Sequence, residues 1–561
     1  MSFIQEPPVL SNQYLEDRVL RSFLCRRVPA PMLAEMAPSL ERMGARAAGD
    51  LAAAAAAAHG EEPELVQWDP WGNRVDEIRV PAAWQVFARA AAEEGVVATA
   101  YERAHGEYSR VHQFALVYLF DRSTKVYTCP LAMTDGCAKT LQVMAEPALR
   151  DRVLPRLTAR DPALAWTSGQ WMTEQIGGSD VGSSQTVARQ TPEGWRLYGK
   201  KWFTSAITAD VALTLARPEG NAPGGRGLAM FLLHVRDEQG RLNGIRVERL
   251  KDKLGTRMLP TAELTLDGTL ATPVAGLTDG VRSITPMLNI TRTWNAVCSA
   301  ASLRRGIALA RDYACRRVAF GATLAEKPLH VDTLAGMQAA HEAAFHLIFH
   351  AVALLGREEA GTIRDDEEAV LRLLQPIAKL TTARLAVAGA SETLEAFGGA
   401  GYVEDTGLPE ILRDTQVLSI WEGTTNVLAL DALRAISRAE ALPHFVGEIR
   451  LRAETGVGMA ALREPARAAI AAGERAAQWL LEASRRGGSA VEAGARRLAL
   501  TLGRAMALAL LVDHAAWALA QENDPRPAAA ARRFGRAGVD LIDPDGGDDP
   551  DTARLGLDLP V

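Results

Sequence analysis

Cysteine is scarce in this chain, and its placement is uninformative for metals or disulfides. Five occur in 561 residues, Cys25, Cys129, Cys137, Cys298 and Cys315, odd in number and without CxxC spacing. That excludes a disulfide framework and a thiolate zinc site, and no metal is expected; it fits reduced thiols in a cytoplasmic protein. The opening MSFIQEPPVLSNQYLEDRVL lacks a charged stretch followed by a short apolar one, so no secretory signal is expected. No run of about 18 strongly apolar residues stands out, so no membrane-spanning helix is expected. A GxGxxG opening a helix is missing, as is GxxxxGK[ST], which disfavours a dinucleotide-binding parallel sheet and a P-loop. The net charge of −6 makes no global demand for nucleic acid or membrane.

What is present divides into four textures, as a chain too long for one core should. Residues 1–165 are rich in Ala, Leu, Glu and Arg, broken at Pro7-Pro8, Pro63 and Asp69-Pro70-Trp71-Gly72, and predict a helical domain. Residues 166–278 hold short β-forming runs at 195–203, 211–217, 228–235 and 261–269, separated by turn residues, and predict a small sandwich or barrel. Residues 279–440 return to helical periodicity, with Leu303, Ile307, Ala310 and Ala314 on one face and Pro376 as a candidate kink, and predict a four-helix bundle. Residues 441–561 predict a helical extension ending in an acidic, disordered tail. The fold class is α+β: helices, then a β-domain, then helices, without βαβ alternation.

Five stretches carry chemistry, each with a plainer alternative. Met172-Thr173-Glu174-Gln175-Ile176-Gly177-Gly178-Ser179-Asp180 sets hydroxyls beside glycines that admit close backbone approach to an anion or ring; it also reads as a Gly-rich turn. Lys201-Trp202-Phe203-Thr204-Ser205 offers one of two adjacent aromatics to a flat ligand, or simply to the core. Arg317 followed by Phe320-Gly321 suits phosphate pairing and base stacking, or a capped helix end. Gly398, Gly399 and Gly401 permit close backbone approach to a ligand, or simply stop a long helix. Glu422, between Trp421 and Gly423 and ahead of Asn426, suits a general base against an apolar wall, or a helix first-turn acid.

Taken in order, TEQIGGSD, KWFTS, YACRRVAFG, FGGAGY and WEGTTN resemble the acyl-CoA dehydrogenase family over about residues 165–440. FGGAGYVEDTGLPEILRD, the Trp before Glu422, the N-terminal QWDPWGNRVDEIRVPAAWQ and the C-terminal extension are most similar to its AidB-type, alkylation-response members. The resemblance implies FAD between the β-domain and the bundle, and a homotetramer. It implies Thr173, Gly178, Ser179, Trp202 and Ser205 along the flavin. It also implies Arg317 and Phe320 reaching a neighbouring subunit's FAD, Gly398, Gly399 and Gly401 at its adenosine end, and Trp421 and Asn426 beside it. Glu422 falls on the family's base position. The earlier helix used for a base by some members reads Asn289-Ile290-Thr291-Arg292 here, without a carboxylate. Trp421 and Arg292 are expected at the acyl-CoA substrate, Trp421 narrowing the pocket toward short or branched chains. The electron acceptor stays open, an electron-transfer flavoprotein among the candidates.

AidB-type resemblance also implies double-stranded DNA as a partner for the extension. From Phe445 to Arg536, 14 Arg stand against 9 acidic residues, a modest excess of the kind phosphate binding needs. Arg485, Arg486, Arg496, Arg497, Arg532, Arg533 and Arg536 are the densest positions. Asp543, Asp545, Asp548, Asp549 and Asp551 follow and roughly cancel them. A solvated helix face is the plainer alternative.

Overall fold

The computed structural model describes residues 6–543 and 551–558. Eight helices make the N-terminal domain: α1 (Arg18–Arg27), α2 (Ala30–Ala48), α3 (Asp50–Ala57), α4 (Ala82–Glu93), α5 (Ala98–Glu102), α6 (Ser109–Phe120), α7 (Thr128–Met144) and α8 (Pro147–Leu157). Asp17 caps α1, its carboxylate accepting the Leu20 N–H at 3.0 Å. Every residue of α6 is buried, which makes it the central helix here. The helical expectation missed a hairpin, β1 (Glu64–Trp68) and β2 (Arg74–Arg79). The expected helix break at Asp69 is its turn. The Asp69 carboxylate accepts the Trp71 and Asn73 N–H groups at 2.8 Å, and Gly72 takes a φ of 82°.

Seven strands follow: β3 (Ser168–Trp171), β4 (Val187–Thr191), β5 (Gly194–Ser205), β6 (Val211–Pro218), β7 (Ala229–His234), β8 (Ile245–Leu250) and β9 (Thr261–Pro273). Their pairing runs β6–β4–β5–β9–β7 and returns from β7 to β6, so five strands close a ring, with β3 beside β6 and β8 beside β9. Closure removes exposed edges. The ring holds its own core around Trp171, Leu197, Phe231 and Leu264. The expected runs match β5, β6, β7 and β9. The missed strands are short, and β8 alternates Ile245 and Val247 with Arg246, Glu248 and Arg249.

The bundle comprises α9 (Gly280–Ser283), α10 (Thr285–Arg316), α11 (Pro328–Ala360), α12 (Asp365–Ala396), α13 (Leu408–Gln416) and α14 (Thr425–Ala439). Leu303, Ile307, Ala310 and Ala314 are buried as a face of α10. Helix α12 runs through Pro376 as one element, and Asp365, Asp366, Glu367 and Glu368 in its first turn complement its dipole.

The extension supplies α15 (Ala441–Val457), α16 (Arg463–Arg486), α17 (Gly488–Gln521), α18 (Arg526–Arg536) and, after a gap in description, α19 (Thr552–Leu557). It is not a separate appendage. Phe445, Ile449, Met506 and Leu511 share one core with Phe345 and Leu373 of the bundle. Asp513 on α17 pairs with Arg26 at 2.9 Å and Arg27 at 3.3 Å on α1, tying the extension to the N-terminal domain. Helices α11 and α17 are long and apolar enough to cross a membrane by composition, against the expectation of none. In each, 89% of the apolar window is buried inside the protein, the pattern of a core helix. Of the acidic tail, Asp545, Asp548 and Asp549 lie outside the described residues. Thr552–Leu557, in the part expected to be disordered, forms a short exposed helix.

Candidate active site

Glu422 sits in the turn that feeds α14, and its backbone is strained. It takes a left-handed φ of 57°, followed by Gly423 at 104°. A non-Gly residue held there costs on the order of 1–3 kcal/mol and needs surrounding structure to keep it. Three buried or half-buried side chains bond to residues 421–423. Lys379 Nζ on α12 donates to the Trp421 and Gly423 carbonyls, both at 2.7 Å. Arg292 Nε on α10 donates to the Glu422 carbonyl at 3.3 Å. The Thr291 hydroxyl donates to the Glu422 carboxylate at 2.8 Å. The Glu422 backbone N–H donates to no group among the described residues. Trp421 turns its indole toward Asn295, whose amide also donates to Leu418 O at 3.2 Å when its oxygen faces the indole N–H.

Arg292, expected at the substrate, is otherwise committed. Its guanidinium pairs with Asp431 at 2.7 Å and holds the Glu422 carbonyl, so it shapes the turn from behind. Burial pushes the Cys129 thiol near this turn up to about 12, with Lys253 opposing and Glu422 adding to it, which makes that thiol inert as a nucleophile.

The β-domain contributes the loop after β3. The Trp202 N–H donates to the Thr173 carbonyl at 2.9 Å, joining the first two motifs. A Cβ at Gly178 would lie 2.7 Å from Thr173 Oγ1, so only glycine lets this loop close on its hydroxyl. Ser179 is exposed at the loop's tip. Of the two adjacent aromatics, Phe203 is the open one, 54% exposed, while the Trp202 ring carries the Lys251 ammonium 3.3 Å from its centroid. Ser205 Oγ meets Thr261 Oγ1 at 3.1 Å, itself a partner of Lys253 Nζ at 3.1 Å.

Beneath this loop lies a pair that sequence reasoning overlooked. Lys201 Nζ donates to Glu174 at 2.8 Å and to the Leu215 carbonyl at 3.0 Å, both side chains being buried. Glu174 also accepts from the Thr186 hydroxyl at 2.6 Å and the Gln185 N–H at 2.7 Å. Burial raises the Glu174 carboxyl, but Lys201 and the hydroxyls of Ser184 and Thr186 outweigh it and hold it at about 2. Both residues stood inside motifs read for their neighbours.

The remaining expected cofactor residues cluster at the far ends of the bundle helices. Arg317 caps α10, and its N–H donates to the Tyr313 carbonyl at 2.8 Å. Three residues on, Phe320 is 99% exposed with φ 49°. At the end of α12, a Cβ on Gly401 would lie 2.0 Å from the Leu394 carbonyl oxygen, and Gly398 needs its φ of 59°. Gly399 faces open space. Open aromatics, glycine-only cradles and a helix-end arginine suit a flat, phosphate-bearing cofactor.

Asn426, one turn after Glu422, accepts from Arg496 Nη1 at 2.9 Å. Arg496 therefore reaches the turn of the candidate base. The seven arginines do not form one face. Arg532 donates to the Ala461 carbonyl at 3.3 Å, Arg533 pairs with Asp332 and Arg536 lies 3.7 Å from Glu464, fastening α18 to the bundle and to the first turn of α16. Arg485 and Arg486 occupy the last turn of α16, roughly 30 Å away at 1.5 Å per residue. Arg497 follows Arg496 on α17, at that same end.

Four family models tile the chain. They are the adaptive response protein AidB N-terminal domain (residues 5–162) and the acyl-CoA dehydrogenase middle domain (169–269) and C-terminal domain (278–437). The fourth is an acyl-CoA dehydrogenase 11 C-terminal domain-like segment (440–542). Acyl-CoA dehydrogenase family member 11 of Caenorhabditis elegans is 44% identical over 91% of this chain and 86% of its own length. This chain belongs to the acyl-CoA dehydrogenase family. The family's FAD dependence and its enzymatic character are thereby its own. The putative acyl-CoA dehydrogenase AidB of Escherichia coli is 32% identical over 69% of this chain and 71% of its own. The crystal structure of Caenorhabditis elegans ACDH-11 in complex with C11-CoA superposes with a TM-score of 0.95 at 41% identity. It covers 99% of this chain and 96% of that one. The acyl-CoA dehydrogenase fold expected from the motif order is thus the fold observed.

Proposed function

We propose that the chain catalyses α,β-dehydrogenation of an acyl-CoA, with Glu422 as the base. The observation that carries this is the Glu422 turn: a half-buried carboxylate on a strained backbone, oriented by Thr291, with its own N–H unspent. Glu422 removes the α-proton, a task for a positioned carboxylate. Its free backbone N–H polarises the thioester carbonyl, which makes that proton acidic enough to leave. FAD, when bound, supplies the two-electron acceptor for the β-hydride. Thr173, Gly178, Ser179, Ser205 and the aromatic pair Trp202 and Phe203 would hold its flavin side, and Gly398, Gly401 and Asn426 would hold its remainder. Arg317 and the exposed Phe320 reach the cofactor of a second copy, in a homotetramer.

Trp421 beside the base argues for short or branched chains. A second reading rests on a different observation: the relative that superposes so closely is in complex with C11-CoA, which favours a longer acyl chain. An anaerobic titration of the FAD-loaded protein with a panel of acyl-CoAs, isovaleryl-CoA and C11-CoA included, separates them. Loss of oxidised-flavin absorbance with one chain class, abolished in Glu422→Gln, supports the reaction and names the substrate. Bound flavin that no acyl-CoA bleaches would refute it.

A further inference from the structure

Lys379 takes no part in the proposed reaction, and its situation is unusual. It is 1% exposed on α12, among Ile377, Ala378, Leu380 and Thr381, all buried. A buried ammonium without a carboxylate bonded to it is costly. Its partners are instead two main-chain carbonyls, Trp421 O and Gly423 O, at 2.7 Å each. Between them, the Glu422 carbonyl takes Arg292 at 3.3 Å. Three successive carbonyls thus face two cations.

The geometry points to a positioning role: we infer that Lys379, with Arg292, clamps residues 421–423 in the left-handed turn that presents the Glu422 carboxylate and N–H to substrate. Three features support it. The turn costs backbone energy that local sequence does not return, since Glu422 has positive φ without being glycine. Charge-assisted donors are the strong ones, about twice a neutral bond. And the clamp engages only the carbonyls of residues 421–423, leaving the Glu422 N–H unspent and the carboxylate to Thr291. Arg292 is itself fixed by Asp431 at 2.7 Å, which Arg372 approaches at 3.6 Å, so the clamp is anchored in α14 and α12.

The clamp is also sensitive to pH. Burial pushes the Lys379 ammonium down to about 7, with Arg292 adding to the push and the Glu422 charge opposing it. Above that point the lysine becomes a neutral, weaker donor and the turn loosens.

The inference rests on the role proposed for Glu422, and its test keeps the two apart. The full-length FAD-loaded protein is compared as wild type, Lys379→Met and Lys379→Arg. Hydrogen–deuterium exchange of peptides covering residues 417–427 reads the turn directly. In Lys379→Met, exchange there rises at least about tenfold and kcat falls by about 10–100-fold, the range a roughly 1 Å misplacement of a reacting group produces. Flavin content and KM stay near wild type, and Lys379→Arg restores most of both. In the wild type alone, protection of the turn falls as pH rises through 7, after correction for intrinsic exchange. Wild-type exchange and kcat in Lys379→Met would overturn the inference, as would equal loss of flavin and of protection throughout the chain. Should Lys379→Met not fold, Lys379→Gln takes its place, and wild-type exchange and kcat in that variant would overturn the inference. A wild type that no acyl-CoA reduces would refute the role of Glu422, while the exchange result would still report on the clamp.

Discussion

Thr291 donates its hydroxyl to the carboxylate of Glu422 at 2.8 Å, across 131 residues of sequence. The contact joins α10 to the turn before α14 and fixes one rotamer of a side chain that must point at substrate. Thr291→Val keeps the shape and removes the donor. A hydrogen bond to a charged group contributes about 1.5–3 kcal/mol, so kcat should fall by about tenfold or more with KM little changed. Steady-state kinetics on the flavin-loaded variant checks this, with Thr291→Ser as the restoring control. An unchanged kcat in Thr291→Val would mean that Glu422 is oriented by the backbone alone.

The buried pair Lys201–Glu174 underlies the loop that carries Thr173 and Ser179. Removing one partner of a buried pair costs about 3–5 kcal/mol, so Lys201→Met should unfold at markedly lower denaturant than the wild type. The pH dependence has a definite sign. Glu174 is held at about 2, below its ordinary 4.5, so its contribution is complete above 4.5 and is lost as pH falls toward 2. Lys201, whose ammonium burial pushes down, gives a slope of the same sign in a more alkaline window: the unfolded chain keeps a proton that the fold gives up, so this part of the stability rises as pH climbs toward 10.5. Denaturant melts at pH 7 and pH 3 check the loss in Lys201→Met and the Glu174 window. A Lys201→Met variant as stable as wild type would show that the hydroxyls around Glu174 carry the loop without the lysine.

The order of domains was legible because texture changes along the chain. Alternating β-formers between turn residues announce β5, β6, β7 and β9, and helical periodicity announces α10 and α12. The hairpin β1–β2 was not, because Asp69-Pro70-Trp71-Gly72 reads equally as a helix break. Glu422 could be singled out as a candidate base from its neighbours Trp421 and Gly423 and from the order of the motifs. Its supports were not: Thr291, Arg292 and Lys379 are distant in sequence, and a hydroxyl or ammonium declares its partner only when packed. One signal for Lys379 did exist, a lone lysine in the apolar run Pro376-Ile377-Ala378-Lys379-Leu380. The partners of the extension's arginines were hidden for the same reason. Residue counts register charge but not its partners, and Arg533 and Arg496 are used within the fold.

Gly401 allows the chain to pass the end of α12 where a Cβ would sit 2.0 Å from the Leu394 carbonyl oxygen. No rotamer relieves a clash between a Cβ and a main-chain oxygen, so Gly401→Ala must shift the turn of residues 398–402. The expected result is a weaker hold on FAD, with apparent affinity down by about tenfold, the factor that 1.4 kcal/mol produces. Global stability should suffer less, since Tyr402 beyond it is 89% exposed. Fluorimetric FAD titration and a thermal melt, run together, check the split. Unaltered FAD binding in Gly401→Ala would remove this turn from the cofactor site.

The junction of α1, α11 and α17 should come apart in acid. The rings of His346 and His514 lie 4.3 Å apart, and the His514 Nε2 meets the Ser22 hydroxyl at 3.1 Å. Burial holds both imidazoles neutral, with the Arg26, Arg27 and Arg18 charges pushing the same way. His514 falls to about 3, and His346 lies well below its ordinary value. In the unfolded chain each titrates near 6.5. The stability these neutral rings contribute is therefore complete above 6.5. It drains as pH falls toward 3, because the unfolded state takes up protons that the fold refuses. Melting temperature should drop steadily from pH 6.5 to 4. The same series on His346→Phe, which keeps a ring in the stack but cannot be protonated, should show a shallower slope. Equal slopes in the two proteins would place the acid sensitivity elsewhere in the molecule. A shallower slope, with hydrogen exchange in α17 rising first as pH falls, would mark this junction as where the extension detaches.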